Sequence, residues 1–239
     1  MKKEKRKMAN KPVDWSNPDI LWGLTDRNTD EEITRKAFEL IKDTSFFPTA
    51  TVNGNEPENR LIDYNMLPDG KLYFMTSKGK PFYRQLCANP VIAINSAVNS
   101  LYSLKLKAWV KEIPPTDKWV WDEFFKLNPG TVKMYRKNFD LVSVFLLEKG
   151  WGEMFHLYAE EKIRRLRFGF GGMEPRPLTY YITDRCIGCG SCRDNCVEEA
   201  IHFGDDGKCY IRYQDCDDCG ICYTRCPLAG EAMKSRLED

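Results

Sequence analysis

Eight of the ten cysteines in this 239-residue chain fall into two copies of one pattern near its C-terminus. Cys186, Cys189, Cys192 and Cys196 read C-x-x-C-x-x-C-x-x-x-C. Thirty residues on, Cys216, Cys219, Cys222 and Cys226 repeat it, followed by Pro227. Thiols this closely spaced force short loops, and the duplication implies a two-fold repeat of one small unit. A zinc ribbon needs two C-x-x-C pairs around one tetrahedral ion and would leave four cysteines unexplained. A disulfide framework suits a small secreted domain. The basic cluster Lys2, Lys3, Lys5, Arg6 and Lys7 is not followed by the apolar stretch of a secretory signal.

The duplicated run resembles the bacterial two-cluster ferredoxins, over about Thr179 to Lys234. The resemblance implies two [4Fe-4S] clusters, with the fourth cysteine of each run ligating the other cluster. Cluster one is then held by Cys186, Cys189, Cys192 and Cys226, and cluster two by Cys216, Cys219, Cys222 and Cys196. In that arrangement three thiolates wrap a tight loop around one cubane, and the fourth reaches across a pseudo-two-fold axis from the following helix. Val197 stands where the usual run has a proline. Proline there shapes a turn and ligates nothing, so the departure bears on local stability and not on the ligand set.

The cluster repeat uses about a quarter of the chain, which leaves ample length for a second domain with its own core. Hydrophobic residues make up 42% of the sequence, as in globular proteins. A net charge of +1 gives no reason to expect a nucleic acid or an anionic membrane as partner. The longest apolar run, Leu141 to Leu147, is too short to span a bilayer. Many thiols and oxygen-sensitive clusters point to a reducing cytoplasm, as in an anaerobe. The expected organisation is a tail over 1–28, a first domain over 29–160, a linker over 161–178 rich in arginine, glycine and proline, and the cluster domain over 179–239.

Thr29 and Glu32 form a capping box ahead of an amphipathic helix that carries Ile33, Ala37, Leu40 and Ile41 and ends near Asp43. The period then changes to two. Phe47 to Val52 reads as a strand, with a turn at Asn53-Gly54. Arg60 to Met66 and Lys71 to Met75 read as a hairpin across Pro68-Asp69-Gly70. A short helix follows over Phe82 to Ala88, then strands over Val91 to Ser96 and Leu104 to Ile113. Thr116 to Leu127 reads as a helix ended by Asn128-Pro129-Gly130, and Leu141 to Leu147 and Met154 to Leu157 as strands. About six short antiparallel strands with intervening helices predict an α+β small barrel. No G-x-G-x-x-G loop follows a strand, which argues against a Rossmann nicotinamide site.

Arg60-Leu61-Ile62, Leu72-Tyr73-Phe74-Met75-Thr76-Ser77-Lys78-Gly79-Lys80, Gln85-Leu86 and Asn89-Pro90-Val91 together resemble the FMN-binding split barrels of the pyridoxamine 5′-phosphate oxidase-like superfamily. The likeness runs from about Asp30 to Leu157 and is distinctive over Arg60 to Val91. It implies FMN as a second cofactor, bound at a homodimer interface. The backbone around Arg60, Leu61 and Ile62 would lie along the isoalloxazine ring. Arg60, Thr76, Ser77, Lys78 and Lys80 would meet the phosphate, a dianion that needs fixed positive charge and hydroxyl or N–H donors. Asn65 stands where the true oxidases have a substrate-phosphate lysine, which argues against their activity here.

Together the two resemblances imply a cytoplasmic iron–sulfur flavoprotein oxidoreductase. A low-potential donor of ferredoxin or flavodoxin type would supply electrons through two [4Fe-4S] clusters to FMN, and a small organic acceptor would receive them. The alternatives are a flavoredoxin-like relay serving a partner protein, and a redox sensor without turnover. No general acid stands out. His156, with aromatic neighbours, could approach the flavin, and Trp121 or Tyr135 could cap it. Cys87 and Cys209 read as core residues, and Arg164, Arg165 and Arg167 as solvated.

Overall fold

The computed structural model describes residues 20–44, 46–98, 102–156 and 165–237. Most of the expected tail over 1–28, Arg164 and the side chain of His156 lie outside the described residues. The chain divides into two compact units: Arg27–Met154 with Arg167–Pro175, and Arg176–Asp239 with Phe155–Leu166 and the described part of Met1–Asp26.

In the first unit, α1 (Asp30–Thr44) starts at the predicted capping box. The Thr29 N–H donates to Glu32 Oε2 at 2.9 Å, and the Glu32 N–H donates to Thr29 Oγ1 at 3.3 Å. The helix buries Ile33, Ala37, Phe38, Leu40 and Ile41 along one stripe. Next come β1 (Phe46–Asn53), β2 (Glu56–Asp63), β3 (Asn65–Met66) and β4 (Leu72–Ser77). They lead to α2 (Pro81–Ala88), β5 (Val91–Val98), β6 (Tyr102–Ile113), α3 (Lys118–Leu127), α4 (Pro129–Tyr135), β7 (Val142–His156) and β8 (Arg165–Phe170). The sheet order is β2-β1-β5-β6-β7-β4-β3, with β8 also paired to β7. The pairings β1–β2, β1–β5, β5–β6, β4–β7 and β3–β4 are antiparallel. β2 and β4, near opposite ends of that order, come back into contact, so the sheet curls into a half-barrel. This is the expected α+β architecture.

Several local expectations are corrected. The segment Arg60 to Met66 does not form one arm of a hairpin with Lys71 to Met75. Its first part pairs with β1 through the Asn53-Gly54 turn, and only Asn65 and Met66 pair with β4. The sheet has eight strands where about six were expected. The expected strands over Leu141 to Leu147 and from Met154 on are not separate, because β7 runs unbroken through Gly150 and Gly152 to His156; Leu157 lies outside the described residues. A Cβ at Gly152 would collide with Leu106 and Phe168, so this glycine marks close packing and not a break. Asn128-Pro129-Gly130 ends α3 and also opens α4, with Pro129 in its first turn.

The stretch 161–178, expected to be a linker, contains β8, all six of whose residues are buried. Arg165 and Arg167 are each 7% exposed and not solvated. Arg167 Nε donates to Glu153 Oε2 at 2.9 Å, and Lys105 Nζ lies 2.8 Å from Glu153 Oε1. Two cations around one buried carboxylate let β7 and β8 bury charge in the core. The β8 backbone also holds α1, with the Gly169 N–H donating to Asp30 Oδ2 at 2.9 Å.

The barrel interior is aromatic. Phe74 stacks on Phe145 with ring centroids 5.5 Å apart and on Phe82 at 5.8 Å, and meets Tyr64 edge-on at 5.6 Å. The opposite face of β4 and β7 packs on α3 through Tyr73, Val142, Val144, Trp121 and Phe124. Among the described residues no helix is long and apolar enough to cross a membrane.

In the second unit, β9 (Tyr180–Ile182) pairs with β12 (Met233–Ser235), and β10 (Ile201–Phe203) pairs with β11 (Cys209–Ile211). Short helices α5 (Ser191–Asp194) and α6 (Ile221–Arg225) follow the two cysteine loops.

Replacing Arg167 by Met removes the inner partner of the buried Glu153 carboxylate. We expect a loss of about 3 kcal/mol of unfolding free energy for the first unit, measurable by chemical denaturation. An unchanged midpoint would mean that Glu153 is satisfied without Arg167.

Candidate functional site

The two cysteine loops are built alike. After the second cysteine of each run, Gly190 and Gly220 adopt left-handed conformations, with φ of 76° and 79°. Each is the N-cap of the helix that carries the third cysteine, Cys192 in α5 and Cys222 in α6. A Cβ at Gly220 would lie 2.7 Å from the Tyr180 ring, so the backbone passes too close for any side chain. Two residues earlier in each loop the two halves differ. Asp218 holds a positive φ of 60° where the first loop has Gly188. Asp218 tolerates this because its carboxylate is tied down, accepting from the Thr179 N–H at 2.8 Å and the Thr179 hydroxyl at 2.7 Å.

Backbone N–H groups are aimed at sulfur. Gly188 donates to Cys186 Sγ at 3.5 Å, Asp218 to Cys216 Sγ at 3.3 Å and Ala200 to Cys196 Sγ at 3.3 Å. Such donors stabilise negative charge on sulfur. The second loop is anchored further by an ion pair between Arg165 and Asp217.

Cys186, Cys189, Cys192 and Cys226 line one pocket. Three come from the first run and the fourth from the second, which is the set that the ferredoxin resemblance implies. Cys209 also lines this pocket. In the other set the Cys222 thiol is pushed up to about 11 by burial, and the neighbouring sulfurs of Cys216, Cys219 and Cys196 add to the effect. Cys192 is pushed up to about 12, again first by burial, with Cys209 and Cys186 contributing. Thiols held this way ionise only when something takes the proton's place, as a metal centre does. Among the described residues no three His, Cys, Asp or Glu side chains converge at the spacing of a single-ion site. Four thiolate donors lining one pocket are the donor set of an iron–sulfur cubane.

In the first unit the predicted flavin residues are spread over β2, β4 and the turn into α2. Arg60 Nη1 donates to Thr51 Oγ1, and its Nη2 donates to Glu58 Oε2 at 2.9 Å and to Gln85 Oε1 at 3.0 Å. Its guanidinium lies 4.7 Å from the centre of the Phe82 ring. Leu61 is 67% exposed, and Ile62 is half-buried. Thr76 and Ser77 are buried on opposite faces of β4, since Thr76 opposes Ser143 and Ser77 opposes Val142. Their side chains are not brought together around one group. Lys78 and Lys80 are exposed on the turn that precedes α2. Lys78 Nζ donates to the Asp140 carbonyl at 2.9 Å, and the N-terminus of α2 at Lys80 has no side-chain cap.

Trp121 is buried in the α3 core, and Tyr135 packs half-buried beside it. Cys87 is exposed and not a core residue, whereas Cys209 is buried as expected. Sequence reasoning missed Thr51 and Gln85 as partners of Arg60. Their only signal was polarity in strand and helix positions that face inward.

No family model matches the chain. Its C-terminal part is 41% identical over 54 residues to "Ferredoxin 7Fe" of Hydrogenibacillus schlegelii, a match spanning 22% of this chain and 68% of that protein. It is 33% identical over 64 residues to "Ferredoxin-1" of Caulobacter vibrioides, spanning 26% of this chain and 54% of that protein. Among solved structures, a NimC/NimA family protein from Clostridium acetobutylicum aligns at 21% identity and a TM-score of 0.49, over 57% of this chain and 93% of its own. A protein of the pyridoxine phosphate oxidase family from the same organism aligns at 15% identity and a TM-score of 0.43, over 59% and 96%. PhzG from Burkholderia lata aligns at 12% and 0.47, over 63% and 92%. With its eight cysteines so arranged and this degree of identity, the C-terminal part of the chain belongs to the ferredoxin family and is an electron-transfer module.

Proposed function

We propose that the protein is an oxidoreductase that carries electrons from a low-potential donor through two [4Fe-4S] clusters to FMN, and from there to a small organic acceptor. The observation that carries this reading is the gathering of Cys186, Cys189, Cys192 and Cys226 around one pocket, with the last drawn from the second run. Cys216, Cys219, Cys222 and Cys196 would hold the second cluster. The seven-iron name of one relative raises the question of a smaller cluster, but this chain keeps all four cysteines in both runs. When bound, the clusters supply single electrons, and a flavin accepts singles and delivers pairs.

For FMN the fit rests on charge. Lys78 and Lys80 stand exposed beside the uncapped N-terminus of α2, where backbone N–H groups and the helix dipole favour an anion. Arg60, clasped by Thr51, Glu58 and Gln85, is fixed against Phe82 of the same helix. We assign the phosphate to these three cations and the turn backbone. Thr76 and Ser77 shape that turn, the Ser77 carbonyl accepting from the Lys80 N–H at 2.9 Å. The ring would lie along β2, where the exposed side chain of Leu61 faces outward. We further propose a homodimer in the cytoplasm, in which exposed Phe46 and Leu61 are covered by the second copy and complete each flavin site.

Three outcomes are expected. Anaerobically purified protein should hold about eight iron and eight acid-labile sulfides per chain. Zinc in stoichiometric amount, without broad visible absorption, would refute the cluster reading. Cys196→Ala should damage the cluster anchored by Cys216, Cys219 and Cys222 and spare the other, which iron analysis with EPR will distinguish. FMN should copurify at about one per chain, and Lys80→Ala should weaken its retention by about 1.5–3 kcal/mol in a fluorescence titration. Unchanged affinity would move the phosphate elsewhere. A flavin-loaded protein that sediments as a monomer at high dilution would contradict the dimer.

A further inference from the structure

Cys209 belongs to neither cysteine run, yet it lines the same pocket as Cys186, Cys189, Cys192 and Cys226. It opens β11, is 5% exposed and packs in one core with Cys192, Ile201 and Met233. It shares that core with Cys192, and Cys186 packs against the same core at the wall of the pocket. A cysteine that ligates nothing keeps its S–H hydrogen to give away. An aromatic ring meets the corresponding glycine of each loop, Phe203 at Gly190 and Tyr180 at Gly220. Cys209 is therefore an addition to the lining of the first pocket and not a replacement for that ring.

We propose that Cys209 is a non-ligating fifth sulfur beside the first cluster, a positioning residue whose S–H donates to a ligand thiolate and sets that cluster's potential above that of the second. The proposal rests on the cluster assignment above. The four ligands from the two runs already satisfy one cubane, so Cys209 is left free to act as a donor. A hydrogen bond to a ligand sulfur stabilises the more negative, reduced state, because that state places more charge on sulfur. The two clusters are then unequal, which gives the electron a preferred resting place. This adds a chemical role to the apolar packing expected from the sequence.

The test is EPR-monitored redox titration of the full-length, cluster-loaded protein, with iron counted in the same samples. Cys209→Val removes the donor while keeping apolar volume, and Cys209→Ser keeps a donor. The Val variant should retain its iron and lower one midpoint relative to the other, changing the electron partition between clusters up to tenfold (59 mV for one electron). The Ser variant should stay near wild type. Unmoved midpoints in Cys209→Val would overturn the proposal, as would equal shifts in Val and Ser. Loss of iron and of one cluster's signal in both variants would make Cys209 a ligand and also overturn it. A wild-type protein without two four-iron signals would bring down the cluster assignment itself, a failure visible before any variant is compared.

Discussion

The second unit depends on sulfurs from two separate loops meeting at one place. From Tyr180 to Ser235 its regular structure is two pairs of three-residue strands and two helices of one turn. A unit of this size buries too little apolar surface to be stable by packing alone. Its core contains Cys192, Cys209 and Cys222 as fully buried members, with Cys186, Cys196 and Cys226 packed against them. The proposed ligands are thus also much of the hydrophobic core. With the proposed exchange of fourth cysteines between runs, the clusters would tie the two halves into one body and couple cluster binding to folding. The left-handed glycines, the N–H groups aimed at sulfur and the Asp218–Thr179 clasp all serve to hold those loops.

The first unit solves a different problem. Its sheet has ample apolar area, with an aromatic interior around Phe74 and a second core under α3. Its cost is polar: Arg60, Arg167 and Glu153 are largely withdrawn from water. Each is matched by partners from distant parts of the chain, as with Arg60 to Thr51 and Gln85, and Glu153 to Arg167 and Lys105. On the proposed reading, a fixed guanidinium beside a lysine-bearing helix start would be a preorganised place for an anion, because little ordering would remain to be done when the ligand arrives.

How much of this could be read from the sequence follows from how local each signal is. The cysteine runs were legible because ligand spacing is a matter of a few bonds, and the start of α1 because Thr29 and Glu32 cap it without outside help. β8 was not legible. Its arginines read as solvent-facing, and only the partners Glu153 and Asp217, far off in sequence, make their burial tolerable. Gly150 and Gly152 lie between two expected strands, yet both are sites of close packing within one strand. Pro129 looked like a stop and is the first turn of α4. The Thr76-Ser77 pair looked like a double hydroxyl grip, whereas strand alternation sends the two side chains to opposite faces.

The central claim is that the clusters lie on the electron's route to the flavin. Anaerobic rapid mixing with a reduced low-potential donor tests it directly, following flavin bleaching in wild type and in Cys222→Ala. We predict rapid bleaching in the wild type and at least tenfold slower bleaching in the variant, with flavin content unchanged. Equal rates in the two proteins would show that electrons reach the flavin by another path.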